Sequence, residues 1–263
     1  MLTSSCPAGI CNRLRCLITT MRLSDEPAIY WPQNKWIKCS FGDLFTPTIK
    51  VVNTKPKTNN NGSWRMICLP TDNLEGQTKE EVENRLNAPS IGSQNKYQDT
   101  ENYLNELPDD VKNGYFNQLD KLKLRDDLAD TVEKFASNFD ENTVSVSFRS
   151  WHDAPDRKKY FVIADFEKMM ESFDKDVRFF ITSDSDKVVN RIKKRFGDRI
   201  IFRKKLMKCG DNQSIAGMKG IIIDLYLLSK NSIHLGTRYS TYSEFAWWLS
   251  RGKQKFSIVK DTQ

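Results

Sequence analysis

The stretch "VRFFITSDSDKVVNRIKKRFGDRIIF", Val177–Phe202, decides the fold. Within 177–182, Val177, Phe179, Phe180 and Ile181 are apolar and the flanks are polar, which predicts a core strand rather than one with a wet face. Behind it Val188, Val189, Ile192 and Phe196 fall at helical spacing, predicting a helix over 185–196. A second apolar run predicts a strand over 199–203. Strand, helix, strand in that order is the signature of a parallel pair with a crossover helix.

The same alternation extends both ways. Upstream, Val144, Val146 and Phe148 alternate with Ser145 and Ser147, predicting a strand over 143–149. A helix over 162–174 follows, with Val162, Phe166, Met169, Met170 and Phe173 on one face. Downstream come a helix over 214–230, a strand at "SIHLG", a helix at "STYSEFAWWLS" and a strand at "FSIV". The expected architecture is an open parallel sheet covered by helices on both faces.

The first half is less regular. "MLTSS", "AIYW", "TIKVV" and "WRMICL" are short strand candidates, and "ICNRLRCLITTMRL" predicts a helix with Ile10, Leu14, Leu17, Ile18 and Met21 at helical spacing. Residues 53–115 are poor in apolar side chains, with helical turns expected at "TKEEVENRL". Leu119, Leu122, Leu128, Val132, Phe135 and Phe139 predict one helix over 118–139. A boundary near Asp140 then divides the chain into residues 1–140 and 141–263.

Charge follows that division. Residues 1–140 carry 17 Lys/Arg and 19 Asp/Glu, whereas 141–263 carry 24 Lys/Arg and 15 Asp/Glu. The second half is built to meet an anion. Six cysteines without CxxC spacing and only two histidines give no zinc pattern, so no metal is expected and reduced thiols are. No apolar run approaches the ~18 residues that span a bilayer. The expectation is a soluble cytoplasmic protein without a membrane span.

Ligands of open parallel sheets bind beyond the carboxyl ends of the strands. Arg149 ends the strand 143–149, where a guanidinium can grip a phosphate through two parallel N–H bonds. Ser183 and Asp184 follow the strand 177–182, placed either to cap the next helix or to touch a ligand. Thr237, Ser240, Thr241 and Ser243 surround another helix start in "GTRYSTYSEF". Asp224 stands as the one charge within "GIIIDLYLL". A buried carboxylate needs a partner with two donors, which an arginine or the N1–H and N2 edge of guanine would supply. In "CPAGICNRLR", Gly9 permits close backbone approach, and Asn12 and Arg13 open a helix. Arg191–Lys208 holds nine basic residues and one acid, either a solvated face or a dock for a polyanion.

These pieces resemble the fucosyltransferase superfamily, which comprises bacterial nodulation, α1,6- and protein O-fucosyltransferases. "GICNRLRCLITTMRL…AIYWP…CSFGDLF" resembles its opening, with a Gly-x-x-Asn loop before the first helix. "VSVSFRS", "RFFITSDSDKVVNRIKKRF" and "GIIIDLYLLSKNSIHLGTRYSTYS" resemble its donor-binding half. The resemblance implies a GT-B fold: two Rossmann-like α/β domains with parallel sheets, the N-terminal one reduced. It implies an inverting, metal-independent glycosyltransferase that uses a GDP-sugar, with fucose the suggested sugar, and a glycan or other hydroxyl acceptor. No cofactor is implied, nor a nucleic-acid partner, and a bacterial or viral origin is expected.

By resemblance, Arg149 binds the donor diphosphate, Asp224 reads guanine, Ser240 and Thr241 touch phosphate, Ser183 and Asp184 line the donor site, and Asn12 and Arg13 line the cleft. The chain departs from the family in three places. Ser147 stands for a histidine, Ser150 for a paired arginine, and Arg157 where an acid is expected. The base that an inverting transfer needs is then sought at Asp153, Asp156 or His152. Two alternatives compete: a non-catalytic polyanion or nucleic-acid binder using 191–208, and another nucleotide-dependent transferase such as a sulfotransferase.

Overall fold

A computed structural model describes residues 2–55, 109–152, 154–204, 207–211 and 213–259. The strand expected at 64–69 and the helical turns expected at 78–86 lie outside the described residues. Two compact units divide the chain between Asp126 and Asp127.

In the first unit, β1 (Leu2–Ser5), α1 (Ile10–Leu23), β2 (Pro27–Tyr30) and β3 (Lys50–Val52) build a parallel sheet in the order β1-β2-β3. Helix α1 buries Ile10, Leu14, Leu17, Ile18 and Met21, the residues whose spacing predicts it. Helix α2 (Asp109–Leu119) lies against α1. A Cβ at Gly114 would stand 2.8 Å from Arg22 Nε, so a larger residue there would require the flexible Arg22 side chain to shift.

One helix over 118–139 is not what forms. α2 ends at Leu119 and α3 (Asp126–Ala136) begins seven residues later. The intervening segment pairs with another part of the first unit. Thr46 N donates to Lys123 O at 2.9 Å and Arg125 N to Leu44 O at 3.1 Å, around a bridge between Phe45 and Leu124. Those tertiary hydrogen bonds outcompete the helical ladder, although the apolar spacing runs straight through.

The second unit continues from α3 through β4 (Thr143–Phe148), α4 (Ile163–Glu171), β5 (Arg178–Ser183), α5 (Asp186–Phe196) and β6 (Ile200–Ile201). It ends with α6 (Ile215–Leu228), β7 (Ile233–Gly236), α7 (Thr241–Leu249) and β8 (Lys255–Ile258). All five strands are parallel, in the order β6-β5-β4-β7-β8. β6 is shorter than the run 199–203, because a 3-10 turn at Gly197–Arg199 takes up its start.

Every residue of β4 is buried. Val144, Val146 and Phe148 join Phe166, Met170 and Ile192 in an apolar core on one face. The other face is polar yet equally dry. Ser145 Oγ donates to Leu228 O at 2.8 Å, and Ser147 Oγ meets His234 Nε2 at 2.9 Å and Ser243 Oγ at 2.7 Å. The serine alternation therefore encodes hydrogen bonding to flanking helices and strand, not exposure to water.

Candidate donor-binding site at the sheet switch point

In the second unit the chain leaves β4 toward β5 and β6 on one side, then returns to place β7 and β8 on the other. The order reverses between β4 and β7, and the loops beyond their carboxyl ends form the crevice where such sheets take ligands. Arg149 follows β4 and Thr237 follows β7. The two loops are tied together: Arg149 N donates to Thr237 Oγ1 at 2.9 Å, and Thr237 Oγ1 donates to Ser147 O at 2.9 Å.

The Arg149 guanidinium is held from two directions. Its Nη1 donates to Asp184 Oδ2, and its Cζ lies 4.6 Å from the centroid of the Trp151 ring. Asp184 Oδ1 also accepts from Ser150 N at 2.9 Å. Asp184 therefore does not cap α5: Ser185 is the N-cap and no side chain caps that helix. Asp184 braces the β4 loop from the end of β5, while Ser183 Oγ accepts from Ser185 N at 3.0 Å.

Most of the hydroxyls after β7 have internal duties. Ser240 is the N-cap of α7, its side chain accepting from Ser243 N at 3.3 Å, and Ser243 Oγ bonds Ser147. Thr237 is the strap described above, and Thr241 opens the helix. Beneath them His234 is fully buried, and burial pushes its pKa down to about 3, so the ring is neutral.

Beyond Trp151, His152 is exposed, with Nδ1 3.2 Å from Ser150 Oγ and 3.6 Å from Asp184 Oδ2. Asp156 lies in the 3-10 turn Pro155–Tyr160, its side chain 81% exposed and 3.9 Å from Arg157 Nε. Asp153 lies outside the described residues. Arg157 reaches the Trp151 ring at 5.1 Å. Arg238 lies over Tyr239 and Tyr160, at 5.2 and 5.8 Å. Trp151, Arg157 and Arg238, which line the same two loops, are not among the candidate binding residues of the sequence reading. The signal was available: two arginines and three aromatic residues fall in the two loops that the strand order brings together.

Asp224 sits in the middle of α6, 1% exposed, with Oδ1 accepting from Arg203 Nε at 2.7 Å. Arg203 also donates to Gly220 O at 2.8 Å. Arg203 is thus one partner that the buried acid has here.

The other arginines of the basic run are likewise engaged within the fold. Arg191 makes a fork to Glu167 with both bonds at 2.7 Å, and Arg195 pairs with Glu171. Arg199 donates to the Val177 and Asp174 carbonyls. A polyanion surface on 191–208 would have to do without its four arginines.

Asn12 and Arg13 belong to the first unit. Arg13 is 2% exposed, donates to Ala8 O at 2.9 Å and Pro32 O at 2.7 Å, and faces the Trp31 ring. Burial lowers its pKa to about 10. The guanidinium joins the loop before α1 to the loop after β2, with Nη2 buried and unpartnered. Nearby Cys16 and Cys39 are buried thiols with pKa values raised to about 12, chiefly by burial, and are not reactive thiolates.

Among the described residues no helix is long and apolar enough to cross a membrane. No group of three His, Cys, Asp or Glu side chains stands ready for a metal among them.

No protein-family model matches the sequence, and no curated protein matches it. Solved structures do. NodZ α1,6-fucosyltransferase soaked with GDP-fucose superposes with a TM-score of 0.56 at 16% identity, covering 94% of this chain and 91% of that one. Fucosyltransferase NodZ from Bradyrhizobium, as the selenomethionine protein, gives 0.55 at 14% identity, covering 93% and 90%. POFUT1 in complex with GDP gives 0.54 at 11% identity, covering 98% and 97%. At these identities the likeness is one of fold. The chain has the α/β fold with parallel sheets of the GT-B fucosyltransferases.

Proposed function

We propose that the chain is a glycosyltransferase that moves a sugar from a GDP-sugar donor to a hydroxyl acceptor, with fucose the sugar that the fold suggests. The observation that carries the reading is Arg149. It is the basic residue at the end of β4, at the switch point, with its guanidinium braced by Asp184 and Trp151.

Breaking the bond between sugar and diphosphate leaves negative charge on the departing oxygen. A guanidinium already fixed in place stabilises that charge without reorganising during the reaction. Asp184 supplies the fixing, and Ser150 N on the same carboxylate locks the loop. A direct displacement inverts the sugar carbon and requires a base for the acceptor hydroxyl. His152, Asp153 and Asp156 follow Arg149 closely enough in sequence to supply one.

Guanine selection by Asp224 is the part of the proposal that its Arg203 partner challenges most directly. The base edge must share the carboxylate with that arginine. Thermal shift with GDP, UDP, ADP and 3′-phosphoadenosine 5′-phosphate separates the possibilities. GDP is expected to stabilise the protein most, with that preference reduced in Asp224→Asn. Equal shifts for all four nucleotides contradict the GDP-sugar reading, and preference for the last favours a sulfotransferase.

A further inference from the structure

A cavity of about 430 Å³ opens at the amino ends of β4 and β7, which run side by side from the register pair Val144 and Ile233. That is the opposite end of the sheet from Arg149, so the cavity takes no part in the proposed donor site. One wall comes from the turn between α3 and β4, the other from the turn between α6 and β7.

Asn231 lines the cavity yet is only 6% exposed. Its Nδ2 donates to Ser145 Oγ at 2.8 Å, and Ser145 gives its single hydroxyl proton to Leu228 O at 2.8 Å. That order fixes the amide, with nitrogen toward Ser145 and oxygen away from it. The Asn231 backbone carbonyl accepts from Gln254 Nε2 at 2.7 Å, whereas Oδ1 accepts no hydrogen bond among the described residues. A nearly buried amide oxygen without a donor is costly, and a ligand N–H or O–H would answer it.

The surrounding charges favour a cation. Lys230 on the rim is already paired with Glu133 at 2.6 Å. Asp140 takes Thr143 Oγ1 at 2.7 Å and Arg178 Nη1 at 3.4 Å. Glu141, exposed on the opposite wall, has no cation against it among the described residues. Helices α3 and α6 both end here, at Ala136 and Leu228, and helix C-termini carry partial negative charge. The remaining surface is apolar. It is made by Ala136 and by Phe139, whose ring lies 5.0 Å from Phe180 and 6.0 Å from Phe135. An anion would meet Glu141 and two helix ends of like sign, and a purely apolar guest would leave Asn231 Oδ1 unanswered.

We propose that this cavity binds a small organic ammonium ion. The ammonium group donates to Asn231 Oδ1 and to the Glu141 carboxylate, and its apolar body lies against Phe139 and Ala136. The charge-assisted hydrogen bonds select the ligand, and the face of Phe139 favours the cation as well. The site does not depend on the glycosyltransferase reading.

Titration of the isotope-labelled full chain with phenethylammonium, followed by NMR, tests the site. Phenethyl alcohol, the same body without the charge, and hydrocinnamate, an anion, are the comparisons. The ammonium ion should saturably shift the Asn231 side-chain amide and the backbone signals of Glu141 and Ser232. It should bind about tenfold more tightly than the alcohol, the scale of one charge-assisted contact. The anion should leave these signals in place. Asn231→Ala should weaken the ammonium ion by about tenfold, and Glu141→Gln by about fivefold, since water screens an exposed carboxylate. Ala136→Leu, which fills the cavity from a half-buried helix end, should block binding. GDP should not compete.

A wild-type protein without saturable shifts at these residues, or with equal affinity for ammonium ion and alcohol, overturns the proposal. So does unchanged affinity in Glu141→Gln or in Ala136→Leu, the two variants that decide the matter should Asn231→Ala fail to fold. Displacement of the ammonium ion by GDP would put it in the donor site instead and overturns the proposal equally.

Discussion

His234 shows what a single side chain costs and secures. Its ring lies under the switch point, bonded through Nε2 to Ser147, and burial lowers its pKa to about 3. In the unfolded chain the imidazole titrates near 6.5. Below that pH the unfolded state binds a proton that the folded state refuses, so stability falls with acidification until pH reaches about 3. The slope within that window approaches about 1.4 kcal/mol per pH unit. Urea denaturation of wild type and His234→Gln from pH 7 to 5, above the range where carboxylates dominate, should give a flatter dependence in the variant. Parallel curves would contradict the assignment. Asp184 teaches a related lesson in legibility. Its position after a strand and before a helix reads equally as a cap or a site residue. Only strand order, which places the ends of β4 and β5 side by side, reveals that Arg149 takes its carboxylate.

At the scale of elements, the strand–helix alternation of the second unit was legible because its strands show short apolar runs or a period-two alternation and its helices carry apolar residues at helical spacing. The break between α2 and α3 was not, because its cause is a strand-like pairing with residues far away in sequence. The basic run was readable as charge but not as structure. Arg191, Arg195, Arg199 and Arg203 recur every four residues, and each has a partner elsewhere in the fold, on a neighbouring helix or, for Arg199, in the turn before β5. Glu167, with a side chain 5% exposed, receives both Arg191 and Arg195 and thereby joins α4 to α5. Arg191 itself is half exposed, so screening limits the pair's worth. Glu167→Gln should lower unfolding free energy by about 1 kcal/mol, measured by urea titration at neutral pH. Arg191 holds the Glu167 carboxyl below its usual range, so that contribution should fade as pH falls under about 4.5. No difference between the variants at pH 7 would show that the fork contributes nothing.

At the scale of the whole molecule, the chain shares its fold with the GT-B fucosyltransferases, and its excess of basic residues falls in the second half. On the proposed reading, Arg149, braced at the sheet switch point, stabilises a departing diphosphate. The most direct measurement is the rate of GDP release from GDP-fucose by wild-type protein and by Arg149→Ala, with folding of both checked by thermal denaturation. Turnover is expected from the wild type, with a loss of about 100-fold or more in kcat in the variant. Turnover in Arg149→Ala within twofold of wild type, or no release by the wild type from any GDP-sugar, would contradict it.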